Sequence, residues 1–420
     1  MPRKARSAFK KELTASIVVG VLAGSVGPFM AFIASHRLHA SATLISLILA
    51  APWVSSFLCV VWANAMEGKP RMAFTSNVWI VSRAILILMF AATTRHVFAV
   101  LAIGYQFVSM MAIPGYTAIM KAIYPDDHRG KLMGYVRTAM TVVAMVTTLI
   151  VGPILKAPGA RYRFVFPIAG VIGIISALIF RSIDVPGDDK ETLNGVERVS
   201  LAKSIRMSAS VLRRDKRFGW FILTTTVYGF GNFLAFPWYP KFMDEVLKMD
   251  EGDLSIYCVL ANIALVASYL YWGHYIDRKD PVRCTSLAIL VNAGIPLVFF
   301  LSPWLHLLMP GSALYVAVLP AAILAGVYAA GLELAYFNAV LGFAPQGQEV
   351  TYQTVQAGIQ GLRGIVGPLL GGILYDVFTR QHYDVRYLFL ISVAMILFGW
   401  SLLVYHGRKD VLENALAGTG

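Results

Sequence analysis

Stretches of roughly 20 mainly apolar residues recur from one end of this 420-residue chain to the other. That recurrence limits the fold more than any other feature. An α-helix needs about 20 residues to cross the ~30 Å hydrocarbon core of a bilayer. Lipid offers the backbone no hydrogen-bond partner, so each such stretch must close its own bonds as a helix. The composition agrees: 57% of the residues are hydrophobic and only 14% are charged. A soluble domain of this size needs more charge to cover its surface.

Twelve spans are expected, at 13–34, 42–65, 73–94, 97–122, 132–155, 162–181, 217–240, 254–275, 284–302, 313–343, 351–377 and 385–405. The longest polar stretch, 182–216, is too hydrophilic to span. It divides the chain into an N-terminal six-helix bundle, 1–181, and a C-terminal one, 217–420. The N-terminus, MPRKARSAFKKE, reads as the approach to a retained first helix. No small-residue cleavage site follows Gly27-Pro28, as a signal peptide would require.

Lys and Arg gather in alternate loops: before the first span, around Lys69 and Arg71, around Lys121, Arg129 and Lys131, throughout the central loop, and at Arg278, Lys279 and Arg283. The positive-inside rule makes these segments, and both termini, cytoplasmic. The acidic cluster MDEVLKMDEGD then faces outward, as do Arg37 and Lys156. The net charge of +13 raises a nucleic-acid partner, but the basic residues form no domain of their own, and that partner is rejected.

Cys59, Cys258 and Cys284 match neither a disulfide framework nor a zinc site, and no two histidines have ligand spacing. No G-x-x-x-x-G-K-[ST] loop and no nucleophile constellation are present, so direct use of ATP and enzymatic catalysis are not expected, nor are a metal or a cofactor. The two halves echo one another. LIVGPIL at 149–155 matches GIVGPLL at 364–370, and Pro125 corresponds to Pro345. Internal duplication is a mark of secondary transporters.

The loop between the eighth and ninth spans, GHYIDRKDPVR, places Gly273, Asp277, Arg278 and Arg283 in a G-x-x-x-D-R pattern. Here and in its twelve-span topology the chain resembles transporters of the major facilitator superfamily. The resemblance implies two pseudo-symmetric bundles in a cell membrane, a monomer, alternating access, and loops that close the cytoplasmic side. Arg129, Gly130 and Gly134 in PDDHRGKLMG resemble a second family pattern, R-G-x-x-x-G. The first-half counterpart of the G-x-x-x-D-R loop, ANAMEGKPRM, is degraded, with Glu67 for the aspartate and Gly68 for the arginine. The family's fourth-span arginine is absent, and LAIGYQFVSMMA offers Tyr105 and Gln106 instead. A solvated charged turn is the competing reading of GHYIDRKDPVR.

An ionisable residue deep in a span is a functional candidate. The expected spans hold Arg83, Arg137, Glu333 and Arg363. Arg137, near a helix end, can snorkel, and Arg83 is either half of a structural pair or a site residue. Glu333 lies 14 residues before the turn near Gly347 and Arg363 16 after it, so both reach a depth of about 20 Å and are expected to pair. Such a pair either braces the tenth span on the eleventh or couples a proton to substrate. Gln356, Gln360 and Arg363 share one helical face. With Tyr228, Asn232, Tyr336 and Asn338 they form the candidate lining of a polar cavity. The competing reading is interhelical hydrogen bonding.

The expected function is proton-coupled export of a small organic solute across the membrane. The alternatives are uptake of an organic anion, and a membrane sensor or lipid-handling protein that moves no solute.

Overall fold

The computed structural model describes residues 3–188, 200–276, 278–308, 313–346 and 348–417. Its described residues fold into helices joined by short turns. In chain order the α-helices are α1 (Arg3–Val26), α2 (Met30–His36), α3 (Ala42–Phe57), α4 (Cys59–Met66), α5 (Arg71–Ile87), α6 (Arg95–Met110), α7 (Ile113–Ile123), α8 (Asp126–Lys156) and α9 (Tyr162–Arg181). They continue as α10 (Leu201–Arg214), α11 (Lys216–Leu234), α12 (Trp238–Glu245), α13 (Glu251–Ile276), α14 (Pro281–Leu307), α15 (Leu319–Phe343), α16 (Glu349–Arg380) and α17 (Arg386–Ala417).

Among the described residues, ten stretches are long and apolar enough to cross a membrane, and an eleventh is counted if α3 and α4, bent by 54°, are one span. The seventh expected span is filled by α11 and α12, which are not among these. The helix starts follow from local chemistry. Ser41, Thr94, Asp215 and Asp280 precede α3, α6, α11 and α14, and their side chains accept backbone N–H bonds of the first turn. Proline sits inside α3, α8, α9, α14 and α16, where it removes a ladder bond and permits a bend.

The helices cluster into two compact units, Met1–Ser204 with Met249–Cys258, and Ile205–Lys248 with Val259–Gly420. In the first unit α1 packs against α8 and α9. A Cβ on Gly20 would lie 2.8 Å from the Met140 carbonyl, and one on Gly24 2.3 Å from that of Ala144. Gly20 and Gly24 therefore serve close helix approach. Asp188, in the polar central segment, accepts the backbone N–H groups of Arg71 and Met72 and so caps α5.

In the second unit α11 packs on α16 and α17, and α14 on α15 and α17. The glycine-rich stretch of α16 meets the end of α11, where a Cβ on Gly367 would lie 2.6 Å from that of Phe233 and one on Gly371 1.9 Å from the Leu234 carbonyl. The Asp215 carboxylate also accepts a bond from Tyr352 at 2.9 Å, which ties the start of α11 to that of α16.

Candidate functional site

Arg363 is the polar centre of the second unit. Its residue is 4% exposed. The guanidinium Nη1 donates to the Thr225 carbonyl of α11, while Nε is buried without a hydrogen-bond partner. The ring of Tyr228 lies 6.0 Å from the guanidinium carbon, close enough for a cation–π contact. Gly229 supplies the room, since a Cβ there would sit 2.3 Å from Nη1.

The site continues onto α15. The Tyr336 hydroxyl is 3.2 Å from Thr225 Oγ1, and Asn232 donates to the Tyr328 hydroxyl at 3.4 Å. One helical turn away along α16, Gln356 donates to Gln360 at 2.8 Å. Five of the expected residues, Tyr228, Asn232, Tyr336, Gln360 and Arg363, thus belong to one polar patch inside an apolar bundle, with Gln356 at its edge.

The expected Glu333–Arg363 ion pair is not formed. Glu333 accepts a hydrogen bond from the Tyr269 hydroxyl of α13 instead. The two residues differ in depth and in direction: Gln353 of α16 donates to the Phe337 carbonyl of α15, and from that level Glu333 lies four residues along α15, about 6 Å, while Arg363 lies ten along α16, about 15 Å. Glu333 is seven residues, about two turns, from Gly326, so both lie on the side of α15 that meets α13. A Cβ at Gly326 would lie 2.2 Å from the Ala261 carbonyl of that helix. Asn338 turns back to the Leu334 carbonyl of its own helix.

Arg83 is 6% exposed, donates to the Gly173 carbonyl of α9 at 2.6 Å, and lies 5.2 Å from the Trp79 ring centre. The bond to Gly173 braces α5 on α9, while Trp79 lies one turn away on α5 itself. Near it, Tyr105 and Gln106 line a cavity of about 190 Å³ in the first unit, where Gln106 donates to the Ile48 carbonyl.

In the loop motifs, Asp277 and Gly347 lie outside the described residues. Arg278 and Arg283 are exposed, and a Cβ on Gly273 would meet nothing within 4 Å, so no close helix approach is made there. Arg129 and Gly130 fall in the first turn of α8, and their side chains lie outside the description.

Two clusters escape the sequence reading. Glu12, 1% exposed, accepts bonds from the hydroxyls of Tyr116 and Tyr124. It sits one residue before the expected first span, directly after Lys10 and Lys11, where a carboxylate reads as surface. The second cluster lies in the first unit. Glu251, fully buried, accepts from Arg37 through Nε at 2.6 Å and Nη2 at 3.1 Å. Arg37 also reaches the carbonyls of Leu155 and Lys156, and Lys156 pairs with Asp250 at 2.8 Å. Arg37 and Lys156 are both expected on the face of the acidic cluster, so opposite charge on one side is the available signal.

No group of three potential metal ligands occurs among the described residues.

The sequence pattern of the Major Facilitator Superfamily matches residues 13–362. The proton-coupled antiporter flippase LtaA of Staphylococcus aureus (strain USA300) is 20% identical over 71% of this chain and 71% of its own. The gentisate transporter of Corynebacterium glutamicum is 25% identical over 64% of this chain and 60% of its own. A crystal structure of a mutant of the nucleoside transporter NupG superposes with a TM-score of 0.70 at 13% identity, over 95% of this chain and 99% of that one.

Proposed function

The chain belongs to the Major Facilitator Superfamily, and from that membership we propose a secondary active transporter that moves a small organic anion by alternating access, with protons as the coupling ion. It is a multi-pass membrane protein of a transporter family, not an enzyme. In this reading the chain has two bundles, 1–181 and 217–420, joined by 182–216, that alternate access to the site, and both termini are cytoplasmic.

The observation that carries the anion is Arg363. It is 4% exposed, its Nε has no partner, and its described bonds include no carboxylate. A guanidinium keeps its charge at any ordinary pH. Leaving a buried charge uncompensated is costly, and a substrate anion removes that cost while bound. Gln360, Tyr228 and Asn232 supply the neutral polar lining that orients such a ligand.

Glu333 is the proposed proton carrier. It is an exposed carboxylate on a membrane helix, hydrogen-bonded to Tyr269 and not neutralised by Arg363. Export in exchange for protons is the direction we favour. The names of two relatives, a proton-coupled antiporter and a transporter of an aromatic carboxylate, accord with these elements.

The test is a screen of organic anions, gentisate included, in proteoliposomes that hold a pH-sensitive dye and a preset pH gradient. At least one anion is expected to move protons saturably, and Glu333→Gln is expected to retain anion movement while losing its dependence on pH. Unchanged pH-dependent flux in that variant contradicts the proton role. Anion-evoked proton movement in the direction of uptake reverses the proposed direction.

A further inference from the structure

A cleft of about 660 Å³ runs between α11 and α16 in the second unit and reaches Leu212 of α10. Its volume lies in the range of small-molecule sites. Its walls are one face of each helix. Lys216, Leu223 and Phe230 recur every seven residues along α11, and Ile359, Leu362 and Val366 follow helical spacing along α16. Two cations stand in this otherwise largely apolar lining: Lys216, exposed at one end, and the buried Arg363.

The distance between the two cations follows from the helix. Arg363 holds the carbonyl of Thr225, nine residues beyond Lys216, which is about 14 Å along α11. The residues through which the cleft opens are apolar and half exposed: Trp220 at 46%, Leu223 at 48% and Leu362 at 50%. Half-exposed apolar side chains of this size suit contact with hydrocarbon better than contact with water. The bond from Nη1 to Thr225 leaves the Nε–Nη2 edge of the guanidinium, the edge that receives a carboxylate side-on through two parallel bonds.

We propose that the anion bound at Arg363 is a single-chain amphipathic carboxylate that reaches the site laterally from the bilayer through this cleft. Its head takes the Nε–Nη2 edge, and its unbranched acyl tail lies along Leu362, Leu223 and Trp220, toward the exposed end of the cleft. Lys216 attracts the head at the exposed end. The inference rests on the reading of Arg363 as the substrate site and adds the chemistry of the substrate and its route.

The test uses the full chain in phosphatidylcholine nanodiscs, with ω-bromoundecanoate as probe and its methyl ester as the uncharged control. Bromine quenches indole fluorescence on contact, and Trp220 lines the cleft. The acid is expected to quench saturably and the ester not to saturate. Trp220→Phe is expected to remove most of the saturable component. Arg363→Gln is expected to raise the half-saturating concentration about tenfold or more, the loss of a charge-assisted bond, with Arg363→Lys between it and the wild type.

Equal quenching by acid and ester, or quenching unchanged in Trp220→Phe, overturns the proposal. Both comparisons keep Arg363, so neither depends on how well its variants fold. Proton movement evoked by water-soluble anions, measured on the same protein, separates the two readings. If it persists and depends on Arg363 while bromoundecanoate fails, only the acyl chain and lateral route fall. If it does not depend on Arg363, the substrate site itself falls.

Discussion

Gly229 shapes the site as much as Arg363 does. A Cβ there would stand 2.3 Å from Nη1 and 2.8 Å from the guanidinium carbon. In Gly229→Ala the guanidinium must therefore leave its place beside Thr225. Small-to-large changes in a packed interior cost about 1–3 kcal/mol, so a lower melting temperature is expected together with loss of anion-evoked flux. Gly273→Ala, where nothing lies within 4 Å, is expected to leave the melting temperature unchanged. Parallel thermal unfolding of the two variants checks the contrast.

Glu12 calls for a different comparison. In Glu12→Ala the two tyrosine hydroxyls that it accepts lose their acceptor, and an unsatisfied buried group costs about 1–3 kcal/mol. Glu12→Gln keeps an acceptor oxygen. The alanine variant is therefore expected to melt at a lower temperature than the glutamine one, and equal melting would remove the hydroxyl bonds from the explanation.

Among elements, the start of α13 is clamped from two sides in the first unit. Arg37 bonds Glu251 bidentately while closing the carbonyl end of α8. Removing Arg37 leaves a fully buried carboxylate without its cation, a change that costs about 3–5 kcal/mol in buried pairs. Since Arg37 is 26% exposed, the lower end of that range is expected for Arg37→Ala, read as a loss of thermal stability.

The neighbouring Lys156–Asp250 pair gives a pH signature. Burial pushes the Asp250 carboxyl up, but bonds from Lys156 and from the backbone of Asp253 and Gly252 outweigh it and hold the group below its usual 3.8. A carboxylate depressed in the folded state stabilises above its unfolded value and stops doing so as pH falls through the folded one. The difference in melting temperature between wild type and Asp250→Asn is therefore expected at neutral pH and should vanish as the pH drops below about 4. A difference that persists in acid would assign the stabilisation to packing.

At the scale of the whole molecule, the membrane class, the helical spans and the polar stripe of α16 are legible in the sequence because each follows from one dimension: run length, spacing, or charge in a loop. What fails needs the azimuth of a helix. Counting residues to a turn predicts equal depth for Glu333 and Arg363, but the Gln353–Phe337 bond sets a register that places them apart, and the direction of each depends on which neighbour packs against which face. Gly326 turns the Glu333 side of α15 toward α13, and no local pattern announces that. The Arg37–Glu251 bond joins residues 214 apart in sequence, so only the shared side of their loops hints at it. Gly20 and Gly24 admit α8 at close range, a role that small residues in a spanning helix commonly fill.

The central claim is that Arg363 holds the transported anion. The most direct measurement is the initial rate of anion-evoked proton movement in proteoliposomes, taken against anion concentration for wild type, Arg363→Lys and Arg363→Gln. Arg363→Gln is expected to raise the half-saturating concentration by about tenfold or more, or to abolish the response, with Arg363→Lys retaining part of it because charge survives but the bidentate edge does not. A saturation curve for Arg363→Gln that superimposes on the wild type would contradict the claim.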